Sequence, residues 1–123
     1  MSIINVVPLR ASFNPDPELL DLERANYLCE LSALSGYQLL INHPSSLTIF
    51  LIETGGTEEA FSNLFRNYPE PYFILTTSMR NSLPASLEIG AFLGSQNKSF
   101  YLLHGTAHKV ATSIRDLVHK YDQ

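Results

Sequence analysis

A chain of 123 residues, 45% hydrophobic and 16% charged, has the length of one domain with one core and is too apolar for a disordered segment. Its net charge of −4 speaks against a nucleic-acid surface, which needs clustered Lys and Arg, and no apolar run approaches the ~20 residues of a membrane span. The single Cys excludes an intrachain disulfide and a cysteine-based zinc site. With no basic region or cleavage site at Met1-Ser2-Ile3-Ile4-Asn5, the expectation is a cytoplasmic protein without a signal peptide.

Ile3 to Leu9 is a β-branched, apolar run and reads as the first strand. Asp16 suits an N-cap and Pro17 a first helical position, so a helix is predicted to about Ser35, where Gly36 ends it. Leu22, Ala25, Leu28, Cys29, Ser32 and Leu34 give that helix a roughly periodic apolar face, on which Cys29 reads as a buried, inert thiol. Tyr37 to Ile41 predicts a short second strand and Leu47 to Ile52 a third, apolar enough to be buried on both faces. A helix capped by Thr57 is expected to reach about Asn67, with Ala60, Phe61, Leu64 and Phe65 inward. Tyr72 to Thr76 is the fourth strand, Ser82 to about Leu93 a helix closed by Gly94 and Asn97, and Ser99 to Leu103 the fifth strand. Val110, Ala111, Ile114, Leu117 and Val118 mark the inward face of a last helix.

This alternation predicts a single α/β domain over residues 1–123, a three-layer sandwich with a mainly parallel five-stranded sheet in the flavodoxin-like order 2-1-3-4-5. One link strains the reading. Only about five residues join the second and third strands, whereas parallel crossovers usually take about a dozen. Either the crossover is a bare extended loop, or the second strand is tiny or antiparallel.

In open α/β sheets ligands gather outside the carboxyl ends of the strands. Arg10 follows the first strand and can bind a carboxylate or phosphate or pair with Glu53. After the third strand, Gly55, Gly56 and Thr57 permit close backbone approach and lead into a helix start whose free N–H groups suit a hydroxyl or anion. A tight turn with a Thr cap accounts for the same residues. The junction is neither a Walker phosphate loop nor a dinucleotide fingerprint, because no Gly-Lys-Ser/Thr follows and the glycine spacing differs. Asn81 and Ser82 follow the fourth strand and offer side-chain hydrogen bonds. His104 follows the fifth, as a general base, a substrate contact or a histidine packed at the sheet edge with one hydrogen bond. His108 can share its helix face, but two histidines alone make a poor metal site. His43 and His119 read as surface residues.

Three segments carry a family resemblance: Glu53-Thr54-Gly55-Gly56-Thr57-Glu58 with Phe61, then Asn81-Ser82-Leu83-Pro84-Ala85-Ser86-Leu87-Glu88-Ile89, then Leu103-His104-Gly105. In this order they resemble the N-terminal domain of L-fucose/L-arabinose isomerase-like proteins. The resemblance implies an α/β domain ahead of two further domains, in a protein that interconverts aldoses and ketoses with a divalent metal, often manganese. The metal ligands belong to the later domains, so it implies no catalytic residue, metal site or cofactor within these 123 residues. It implies a sugar ligand, the remaining isomerase domains or a second copy as partners; a small ligand is expected at the ends of the third, fourth and fifth strands, touching Gly55, Gly56, Thr57, Asn81, Ser82 and His104. A degenerate receiver-like signalling or interaction module is the alternative. Arg10, Glu53, Thr76 or Thr77, and His104 stand roughly where such modules keep their acidic pair, Asp, hydroxyl and Lys. Without the acidic pair to hold Mg²⁺, phosphotransfer is not expected.

Overall fold

A computed structural model describes residues 3–10, 17–54, 58–63, 67–76 and 82–121, with the backbone alone at residues 58, 60, 76 and 82–86. The elements in chain order are β1 (Ile3–Leu9), α1 (Pro17–Ser35), β2 (Gln38–Ile41), β3 (Thr48–Ile52), α2 (Glu58–Ser62), β4 (Tyr72–Thr76), α3 (Ser82–Ser95), β5 (Phe100–Leu103) and α4 (Ala107–Tyr121). The five strands form one sheet in the order β2-β1-β3-β4-β5. Every pairing is parallel, so the flavodoxin-like arrangement is the observed one.

Register places whole rows of apolar side chains on each face. Val7, Phe50, Ile74 and Leu102 are aligned across four strands and join the core under Phe61 of α2 and Ile89 and Leu93 of α3. The neighbouring row, Val6, Ile49 and Phe73, packs against Tyr27, Leu28 and Leu31 of α1 and Val110, Ile114, Leu117 and Val118 of α4. Strands covered on both faces carry near-continuous apolar sequence. Accordingly Ile49, Phe50, Leu51 and Ile52 of β3 are all buried. At Gly90, a Cβ would lie 3.2 Å from the Phe100 ring, so glycine lets α3 close onto β5. Helix α3 ends on Asn97, left-handed at φ 56, with the Lys98 N–H donating back to the Leu93 carbonyl at 2.9 Å.

The link that strained the sequence reading is a bare loop. β2 runs parallel to β1 over four residues, and residues 42–47 cross to β3 without a helix. The geometry permits this because β2 stops beside Val6 and β3 starts beside Asn5. The chain therefore crosses two strand spacings, about 10 Å, without travelling back along the sheet. Asn42 turns at φ 50 and donates its N–H to the Val6 carbonyl at 2.9 Å. Ser45 Oγ accepts from the Asn5 N–H and donates to the Leu47 carbonyl, each at 3.0 Å.

Helix α1 is rotated from its expected face. Tyr27, Leu28, Leu31 and Ser35 are its buried residues, while Leu22 is 60% exposed and Ala25 lies outward. Cys29, expected to be buried, is exposed. The inward stripe begins with a charged residue, Arg24, one turn before Leu28, so the apolar periodicity alone pointed to the wrong side. Helix α2 ends at Ser62, with Asn67 in a turn, and the expected inward residues Leu64 and Phe65 lie outside the described residues. No helix of the described residues is long and apolar enough to cross a membrane.

Candidate functional site at the carboxyl edge of the sheet

β1 leads into α1 on one face of the sheet and β3 leads into α2 on the other, so the strand order reverses between β1 and β3. The Glu53 N–H donates to the Leu9 carbonyl at 2.9 Å. This continues the ladder by one residue and sets Arg10 and Glu53 side by side. Glu53 is 1% exposed, and both carboxylate oxygens are engaged. Arg10 Nη2 donates to Oε2 at 2.7 Å, and Arg24 Nη1 of α1 donates to Oε1 at 2.9 Å. Asp21 closes the group, its Oδ1 standing 3.0 Å from Arg10 Nη1 and 3.1 Å from Arg24 Nη2.

A carboxylate without solvent is tolerated only when charge and hydrogen bonds compensate its lost hydration. Two guanidinium groups supply that compensation here. Burial pulls the Arg10 pKa down, but the hydrogen bonds and charges of Glu53 and then Asp21 outweigh it and leave the guanidinium held above its ordinary value. The group therefore works as a charged clamp between the ends of β1, β3 and the first half of α1. One donor is left over: among the described residues, buried Arg10 Nε has no hydrogen-bond partner.

His104 is exposed at the end of β5, two strand spacings from Glu53, about 10 Å. With Leu102, His108, Lys109, Thr112 and Ser113 it lines an open dish of about 530 Å³. Gly105, at φ 113, turns the chain into α4. A Cβ there would lie 3.3 Å from Lys109 Cδ, so the Lys109 stem lies against the turn. Thr106 Oγ1 accepts the Lys109 N–H at 3.3 Å and caps the helix.

Of the six residues expected to contact sugar, His104 is placed as described and Ser82 opens the backbone of α3. Gly55, Gly56, Thr57 and Asn81 lie outside the described residues. His43 and His119 are exposed, as expected. The Arg10–Glu53 pairing was one of the two readings open from sequence. Arg24 and Asp21 were not foreseen, although their three-residue spacing and the position of Arg24 one turn before Leu28 signal a charged pair beside the inward stripe. Among the described residues, no group of three His, Cys, Asp or Glu side chains is placed to hold a metal ion. Comparison with known proteins found no matching family model, no matching curated protein and no matching solved structure.

Proposed function

We propose that the chain is the N-terminal domain of a sugar isomerase-like protein of the L-fucose/L-arabinose kind, contributing sugar contacts or a subunit interface and catalytically incomplete by itself. One observation supports the reading above others. The described parts of the three resembling segments follow three adjacent strands: Glu53 comes directly after β3, α3 follows β4 in the chain from Ser82, and His104 comes directly after β5. Neutral donors and acceptors such as Thr, Asn, Ser and backbone amides are what a hydroxyl-rich ligand requires at such an edge. Arg10, Glu53, Arg24 and Asp21 would brace that edge while their own charges stay paired.

The test is a chemical-shift titration of the chain with L-fucose, L-arabinose and their ketoses. Shifts clustered on residues 53–58, 81–83 and 104–108, abolished by Gly56→Val and reduced by His104→Ala, are expected for sugar contact, with Thr57→Ala as the control that removes only a cap. Shifts absent at millimolar sugar, or scattered over the surface, count against sugar contact by this chain. An isomerisation assay with added manganese is expected to show no turnover, and turnover would overturn the statement that the domain is catalytically incomplete. The receiver-like alternative shares the strand order. Against phosphorylation stands Glu53, at the carboxyl end of β3, whose two oxygens are both bound by guanidinium groups.

A further inference from the structure

The opposite edge of the sheet holds a second concavity, separate from the carboxyl edge. The segments entering β3 and β4 and the last residue of α4 enclose a cavity of about 280 Å³, lined chiefly by Phe50, Phe73, Tyr68 and Tyr121, with Thr48 and Glu70 among its polar groups. Phe50 belongs to the core beneath α2 and α3 and Phe73 to the core beneath α1 and α4, so the cavity draws an aromatic wall from each face of the sheet.

These walls are fixed in place by neighbouring contacts. The Tyr68 ring meets Phe50 edge-on, with centroids 5.1 Å apart at 87°, and the Tyr68 carbonyl accepts the Tyr72 hydroxyl at 3.1 Å. The Tyr121 ring packs on Phe73 at 5.2 Å, and its hydroxyl donates to the Tyr101 hydroxyl at 3.3 Å. A cavity whose rings are already held loses little freedom when it is filled.

The polar groups give the cavity a sign. Among the described residues, Glu70 is the only charged one lining it. The Ser99 N–H donates to Glu70 Oε1 at 2.7 Å and anchors the carboxylate. Thr48 Oγ1 accepts from Asn5 Nδ2 at 3.2 Å, which leaves the Thr48 O–H to donate. Lys120 Nζ sits 5.3 Å from the Tyr121 ring centroid and is not among the described lining residues. Aromatic faces beside a carboxylate attract positive charge and N–H donors and repel anions.

We infer that this amino-edge cavity is a binding site for a small planar ring carrying a cationic N–H group, the ring between the tyrosines and phenylalanines and the N–H group on Glu70. The inference is independent of the sugar reading and uses none of the residues of the carboxyl edge.

The experiment is an amide chemical-shift titration of the full chain with benzamidine, benzamide and benzoate, which share one planar ring and differ in charge. Saturable shifts at Thr48, Tyr68, Glu70, Phe73 and Tyr121 are expected, with benzamidine binding tightest and benzoate about tenfold weaker or more. Glu70→Gln keeps an oxygen for the Ser99 N–H and is expected to erase the preference for benzamidine. Tyr121→Ala, at a residue 37% exposed, is expected to weaken benzamidine and benzamide alike while the rest of the spectrum stays that of the folded protein. No saturable shift with benzamidine, equal affinity for benzamidine and benzoate, or affinity unchanged in both variants would overturn the assignment.

Discussion

β3 ends in opposite chemistry at its two edges. At the carboxyl edge, Glu53 is surrounded by Arg10, Arg24 and Asp21. Toward the amino edge, Phe50 is surrounded by the rings of Phe61, Tyr68 and Tyr72, with centroids 4.9, 5.1 and 6.1 Å away. Both side chains are almost fully buried, but for different reasons. Phe50 is inside because water is a worse solvent for it. Glu53 is inside because two guanidinium groups replace the water it lost. The two regions therefore fail differently when cut: one leaves a void, the other an uncompensated charge.

The largest expected effect comes from the aromatic side. Phe50→Ala is expected to lower the unfolding free energy by about 4 kcal/mol in urea titration, through lost transfer energy and the cavity left behind. Salt should not restore it. On the charged side, Glu53→Gln is expected to cost about 3 kcal/mol, because it removes the buried carboxylate and leaves both guanidinium groups with only the exposed Asp21 as a charged partner. Replacing Arg10, Arg24 and Glu53 together by Met should recover most of that loss, an outcome with no parallel at Phe50. Equal losses in the single and triple variants would erase the distinction between compensation and simple burial.

Alkaline pH sharpens the contrast next. Burial, and after it the charge of Glu30, pushes the Tyr27 hydroxyl up to about 12. The folded protein thus holds this proton more tightly than the unfolded chain, whose tyrosine titrates near ~10. The resulting stability is fully present below pH ~10 and is lost between pH ~10 and ~12, on the order of 2 kcal/mol. Tyr27→Phe should remove that alkaline loss in a series of urea titrations across this range. The carboxyl-edge clamp should not contribute to it, since Arg10 is held above its ordinary value. The smallest effect is expected at Asp21, whose side chain is 56% exposed. Asp21→Asn should cost less than about 1 kcal/mol, and less still at high salt.

Much of the frame was legible because it rests on local pattern. β1, β4 and the inward face of α4 follow from apolar runs and helical spacing, and the strand order follows from their alternation. The face of α1 was misread because its inward stripe includes Arg24, a residue that hydrophobic spacing discards and that only a distant partner, Glu53, can bring inside. The Arg10–Glu53 pair was readable as one of two options, since both follow strands expected to be neighbours. The amino-edge cavity was not readable at all. Thr48, Glu70 and Tyr121 meet there from three separate parts of the chain, and no spacing rule joins a strand start, a loop and the last residue of a helix. At the carboxyl edge, Gly55, Gly56, Thr57 and Asn81 fall outside the described residues, so their expected contacts stand as part of the proposal.

The bare crossover at residues 42–47 has a consequence for how the protein breathes. β2 is an edge strand, paired with β1 alone, and Leu39 is the one of its four residues that is buried. A helical crossover would add a second layer of burial to hold it; here the loop bonds mainly to β1 itself, through Asn42, Ser45 and Leu47, and α1 holds β2 by one bond, from the Leu39 N–H to Ser32 Oγ at 3.1 Å. β2 can therefore lift away while the ladders among β1, β3, β4 and β5 stay closed. In native-state hydrogen exchange, the amides of residues 40 and 41 are expected to open by this local route, well below the free energy of global unfolding, whereas those of residues 49–52 wait for the whole sheet.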